Sequence, residues 1–279
     1  MFEGLLKSAI GGLGLVGAFI FVLWVYFINF TPAGKRFFFN KYLLLMRQGA
    51  TTLVGYIMGL SRYIGYKTGS ILGIILVLII NTILTKGLKF KPLVPFYPEG
   101  AAGESFLIML LASTFGVILL WGQYSLLACF LSFRIKLKSE AVEALECITF
   151  PLSKFSSVWA KIAVSCAVII VALCGLFLLN GTPENLATMP INILMAFLVS
   201  IIDILLIIKN LIVVLIILSF VAIFTKRLDY IAITNELISV LSFSVFPVKL
   251  RLLMFDFSPI IALWICGIVH SILLGILIH

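Results

Sequence analysis

The sequence predicts an all-α integral membrane protein of about six transmembrane helices, with cytoplasmic amphipathic helices between them and two parallel span–amphipathic helix–span repeats. Three observations carry this. Of the 279 residues, 63% are apolar and only 11% charged, against about 45–50% and about 25% in a soluble domain, and the mean hydropathy is +1.26. The apolar residues gather into long unbroken runs. The basic residues concentrate between alternate runs. A water-soluble globule of this size has no place to hide so much apolar surface, and the composition equally excludes disordered, collagen-like and disulfide-scaffold chains.

A helix crossing the roughly 30 Å hydrocarbon core needs about 20 apolar residues, because lipid satisfies no backbone amide. Six runs qualify: 9–30, 69–85, 105–133, 162–180, 191–225 and 257–278. The second is short. The fifth would rise about 52 Å as one helix, so an interfacial turn is expected at Pro190-Ile191-Asn192, with the span proper beginning nearer Ile201. The first run is not expected to be a cleavable leader: it is too long, no small-residue cleavage site follows it, and Lys35-Arg36 come after rather than before it.

Charge sets the orientation. Fifteen of the 20 basic residues fall within 31–68, 134–161 and 226–256, and after subtracting acids the entire formal charge of +9 lies on that side. Short loops rich in Lys and Arg remain cytoplasmic. This places the chain in a bacterial-type inner membrane with both termini outside. The basic loops suit the anionic lipids of the cytoplasmic leaflet, and other integral membrane proteins or a second copy are the expected partners; nucleic acid is not. Cys129, Cys166, Cys174 and Cys266 fall in spans and Cys147 in a loop, so they are read as small apolar packers rather than a disulfide or metal framework.

An internal repeat organises the second half. EAVEALECITFPL at 140–152 aligns with ELISVLSFSVFPV at 236–248, an offset of 96 that matches Glu140 with Glu236, Leu145 with Leu241, and Phe150-Pro151 with Phe246-Pro247. Farther on, after a small gap, Cys174-Gly175 aligns with Cys266-Gly267. Val142, Leu145, Ile148, Leu152 and Phe155 are spaced by threes and fours, and Ile233, Leu237, Val240 and Leu241 repeat the idea, with Val240 and Leu241 three and four residues after Leu237. Both segments are expected to be amphipathic helices resting on the cytoplasmic leaflet. Two copies on one face require an even number of crossings between them, so 191–225 counts as one span. The chain divides into a hairpin with a basic interfacial loop at 1–100, a first repeat at 105–181 and a second at 191–279.

The second copy continues as Phe246-Pro247-Val248-Lys249-Leu250-Arg251 and then Asp256-Phe257-Ser258-Pro259-Ile260. This stretch resembles the YggT family, whose repeated unit is a span, an amphipathic segment with a Pro and basic residues, a D-x-S-P-I signature and a second span. Pro247, Lys249 and Arg251 fit the first part, and Asp256, Ser258 and Pro259 the second. The likeness covers about 105–279. The first unit keeps Pro151 and Lys154 but has no D-x-S-P. The resemblance implies a non-enzymatic multipass protein, a scaffold in osmotic or ion homeostasis or in the assembly of membrane complexes. On physical grounds, Ser258 is expected to cap the last span with Pro259 as its first residue, and Asp256 to face the positive end of that helix and pair with Lys249 or Arg251.

Few residues are left for other chemistry. Asp203, Lys209 and Asn210 lie in the fifth run and His270 in the last. Charge in hydrocarbon is costly, so these four form a possible intramembrane polar site. Asp203 and Asn210 share a helix face and Lys209 sits about 120° round from Asp203. The bland reading puts Asp203 at the outer interface, Lys209 snorkelling or paired with a neighbouring helix, and His270 in an interhelical hydrogen bond. The sharper one is a small ion channel or transporter using Asp203 and Lys209. A third alternative is a structural subunit of a larger export or permease complex, docked through 1–100. Gly12-x-Gly14-x-x-Gly17 spells a dinucleotide fingerprint but lies in an apolar run with no strand before it. With two histidines and no nucleophile–base pair, neither an enzyme nor a cofactor is expected.

Overall fold

The computed structural model describes residues 106–134, 158–180, 183–224, 228–247, 251–252 and 255–278, with single positions at 75, 79, 155, 157 and 226. The runs at 9–30 and 69–85 and the first repeat segment, with Glu140, Leu145 and Pro151, lie outside the described residues. Lys249 does too.

The described chain is almost entirely helical: α1 (Phe106–Arg134), α2 (Val158–Asn180), α3 (Pro183–Phe224), α4 (Leu228–Val245) and α5 (Ser258–Ile278). The exception is a two-residue antiparallel ladder of β1 (Arg251–Leu252) with β2 (Phe255–Asp256). Among the described residues four helices, α1, α2, α3 and α5, are long and apolar enough to cross a membrane. This is a membrane protein.

The expected turn at Pro190 is corrected. α3 is one helix of 42 residues, with Pro190 inside it. It begins at Pro183, where a missing N–H costs nothing. At Pro190 the helix forgoes a single rung and the apolar sequence carries it on. At 1.5 Å per residue it is about 63 Å long, roughly twice the hydrocarbon thickness.

Two cores hold the helices. Ala112 and Leu119 of α1 join Ile169, Ala172, Leu173 and Leu176 of α2 and Ala196 of α3. Tyr124, Leu127 and Leu131 of α1 join Ile208 and Ile212 of α3, Ile238 and Leu241 of α4, and Ala262 and Cys266 of α5. α1 and α3 serve both cores, so they tie α2 on one side to α4 and α5 on the other. Much of the remaining apolar surface points outward, with Trp159 79%, Trp264 70% and Ile276 72% exposed. Water would make that a liability; lipid makes it ordinary.

The α1–α2 hairpin closes on two glycines. A Cβ on Gly175 would stand 2.4 Å from the Phe115 ring, and one on Gly122 would stand 2.7 Å from Ile169 Cγ1. Small residues at such crossings let helices approach where no hydrophobic effect draws them together. Hydroxyls within these helices turn back on their own backbone: Thr114 to the Leu110 carbonyl, Ser125 to Trp121, Ser165 to Lys161 and Ser271 to Gly267, all at 2.8–2.9 Å.

α3 ends where Lys226 takes a left-handed conformation, φ 55°, and its N–H donates to the Ile223 carbonyl at 3.1 Å. α4 then runs back along α3, with Ser219 Oγ donating to Asn235 Oδ1 at 3.4 Å and Leu241 packed beside Ile208 and Ile212. Its buried positions include Thr234, Ile238, Leu241 and Ser242, while Leu237 and Val240 are half-buried. The apolar stripe is therefore set against a neighbouring helix and is rotated from the one the spacing suggests. Pro247 follows the helix, exposed, and stops it.

Gly175→Leu is expected to lower the thermal stability of the detergent-purified protein by about 1–3 kcal/mol through overpacking on Phe115. Gly275→Leu, where a Cβ meets nothing within 4 Å, should leave it unchanged.

Candidate functional site

Two groups of candidate residues come together in the structure. The first lies inside the spans. α3 and α5 pack antiparallel, and His270 Nε2 stands 3.0 Å from Asp203 Oδ1, each side chain 16% exposed. The contact is a hydrogen bond between a carboxyl oxygen and a ring nitrogen whose direction depends on the histidine tautomer, and it gives each polar group a partner where hydrocarbon supplies none.

Two turns farther along α3, Lys209 reaches the same helix. Its Nζ lies 3.7 Å from where a Cβ on Gly267 would be, so the absence of a side chain at 267 makes room for the ammonium. The long, flexible stem overcomes the rotation of about 120° that separates Lys209 from Asp203 on the helical wheel. Asn210, which shares the Asp203 face by spacing, is half-buried. Asp203, Lys209 and His270 thus meet along one helix pair.

The polar strip extends beyond these four residues. Gln123, only 4% exposed, sends Nε2 from α1 to the Ser200 carbonyl of α3 at 2.9 Å. Ser200 is fully buried and its Oγ has no partner among the described residues. Ser200 and Asp203 are one turn apart, so Gln123, Ser200, Asp203 and His270 cross the bundle from α1 through α3 to α5. Sequence reasoning passed over Gln123. Its signal was a lone amide midway along the third apolar run, which lipid tolerates only where a helix neighbour accepts its hydrogens.

The second group sits at the entrance of α5. The β1–β2 ladder sets the Arg251 backbone opposite that of Asp256; the Arg251 side chain and the whole of Lys249, the expected ion-pair partners, lie outside what the structure describes. Asp256 Oδ1 accepts the Ser258 N–H at 3.0 Å, and the Ile261 N–H reaches the Phe257 carbonyl at 3.1 Å. The Asp256 carboxylate thus serves the first N–H of α5 from two residues upstream, with Ser258 buried as the first residue of the helix and Pro259 as the second. The reversal of the chain at β1–β2 brings Asp256 back over the helix end, where its charge also meets the positive pole of the dipole. Glu236 is half-buried on α4 and Leu241 lies in the core.

Among the described residues no three His, Cys, Asp or Glu side chains gather to hold a metal. What the intramembrane strip can do chemically is hold a proton and fasten three helices. No protein-family model matches the chain, and no curated protein or solved structure gives a significant match.

Asp203→Ala, which leaves the imidazole without its partner, is expected to cost about 1–2 kcal/mol of stability in detergent or bilayer. Asp203→Asn keeps an oxygen acceptor in place and should cost less than half as much. Thermal unfolding of the two variants beside the parent checks the order.

Proposed function

We propose that the chain is a non-enzymatic membrane scaffold of the YggT type, in which two span–amphipathic helix–span units pack into one body that supports ion or osmotic homeostasis or the assembly of a membrane complex. One observation carries this reading beyond the sequence. The duplication aligns Gly175 with Gly267, and both occupy like places: Gly175 of α2 faces Phe115 of α1, and Gly267 of α5 faces Lys209 of α3. In each unit the second span turns a glycine toward the first, which is what descent from one ancestral hairpin leaves behind. The outward apolar faces of α2 and α5 suit lipid or partner helices, and the basic loops suit anionic headgroups of an inner membrane. The region 1–100 is the natural docking element if the body belongs to a larger export or permease complex.

A second reading is favoured by the Asp203–His270 contact. A titratable pair in mid-span, with an ammonium two turns away, is also what a small proton or ion pathway would use. That pair belongs to the second unit alone, since the units share no such residues.

Deletion of the gene is expected to impair growth after osmotic shock or to reduce the yield of an intact membrane complex on native gels; wild-type behaviour in both assays would overturn the scaffold. Purified protein in liposomes is expected to pass neither protons nor common monovalent ions. A flux abolished by Asp203→Asn would establish the pathway instead.

A further inference from the structure

Lys209 carries a charge that the bundle does not answer. Its Nζ rests 3.7 Å from the place of a Cβ on Gly267, in the notch that the missing side chain leaves. Gly267 lies midway along the span Ser258–Leu277, so the ammonium sits about 14 Å from one end of that span and about 15 Å from the other. Lysines near the ends of a span escape to the headgroups along their stems. From mid-depth this one does not reach them. Among the described residues it has neither an ion pair nor a hydrogen bond. An unpaired charge in hydrocarbon is costly, so a counter-charge has to come to it.

This chain does not supply one. Across all six apolar runs there is a single acidic residue, Asp203, and His270 already occupies it. The runs at 9–30 and 69–85 hold no acid. A second copy would arrive with its own mid-span carboxylate equally taken. The surroundings of Lys209 favour one kind of donor from outside. Leu198, Ile202, Val213 and Phe220 fall within about 40° of Lys209 on the α3 wheel, and Leu198, Val213 and Phe220 are 37%, 38% and 59% exposed. Lys209 thus stands at the centre of an outward apolar stripe about 33 Å long, the length of a full crossing. An inorganic anion would have to reach that stripe through lipid, and the four flanking side chains offer it no second donor. A helix satisfies its own backbone, matches the stripe with apolar side chains and delivers a carboxylate at the required depth.

We propose that the Lys209 stripe of α3 docks a transmembrane helix of a different protein, which carries one Asp or Glu at mid-depth to pair with the Lys209 ammonium. Leu198, Val213 and Phe220 pack against that helix, and the ion pair fixes its depth and rotation. The inference rests on the scaffold reading and deepens it, by naming the chemistry of a partner that such a body would hold.

The probe is a synthetic oligoleucine helix with one Glu at its centre, mixed with the full chain in phosphatidylcholine bilayers. Association is read by energy transfer between dyes on the two, and a Gln at the same place gives the uncharged comparison. The Glu peptide is expected to associate about tenfold more tightly than the Gln peptide, as a polar contact between spans implies. Lys209→Met keeps the bulk of the stem and removes the charge, so the two peptides should bind it equally. Equal association of both peptides with the parent chain, a comparison that needs no variant, would overturn the proposal. So would a preference that survives in Lys209→Met. Chloride passage across liposomes that depends on Lys209, without a preference between peptides, would overturn it too and assign the lysine to an anion path. None of these failures alters the growth and complex-yield assays on which the scaffold itself is judged.

Discussion

Hydrocarbon offers no hydrogen bonds, and the meeting of Asp203 with His270 is where that constraint bears hardest on this chain. An ionisable residue in mid-span must find its complement on a neighbouring helix or stay neutral. The 3.0 Å contact between the two side chains does this and in doing so sets the register of α5 against α3. Everything on α5 follows from that register. Ala262 and Cys266 fall into the core with Ile208 and Ile212, Gly267 falls opposite Lys209, and Ser258 reaches the end of α4.

The same constraint explains how the two halves cohere. Because lipid and leucine are equally apolar, helices in a membrane associate through close packing and polar contacts rather than through exclusion of water. The α1–α2 pair uses close packing, with Gly122 and Gly175 as the points of approach. The α3–α5 pair relies on its polar contact. Gln123, donating from α1 to the Ser200 carbonyl, connects the two solutions. The long α3 is central to both, its N-terminal half with Ala196 against α2 and its C-terminal half beside α4.

Composition and run length made the last four spans legible, since a stretch without charge leaves a chain few alternatives in a bilayer. Their boundaries agreed to within a few residues except at α3. There, proline chemistry argued for a turn and the helix continued through Pro190; a single lost hydrogen bond weighs little against the many that an interrupted helix would expose. The candidate residues Asp203, Lys209 and His270 were visible one by one, because charge in an apolar run is conspicuous. Their convergence was not, for it depends on the depth at which α5 packs along α3. At the α5 entrance the D-x-S-P letters marked the helix start, but the bond from the Ser258 N–H to Asp256 Oδ1 was not legible in them. Gln123 was legible as a lone amide in an apolar run, but its acceptor, the Ser200 carbonyl of another helix, was not.

A double-mutant cycle between Asp203 and His270, read as thermal stability of the membrane-reconstituted protein, tests the central claim most directly. Asp203→Ala, His270→Phe and the combined variant supply the three comparisons. The account predicts a coupling of about 0.5–2 kcal/mol, with the double variant less damaged than the sum of the singles. Strict additivity would mean that the two side chains do not meet in the bilayer, and the register of α5 against α3 would have to be drawn differently.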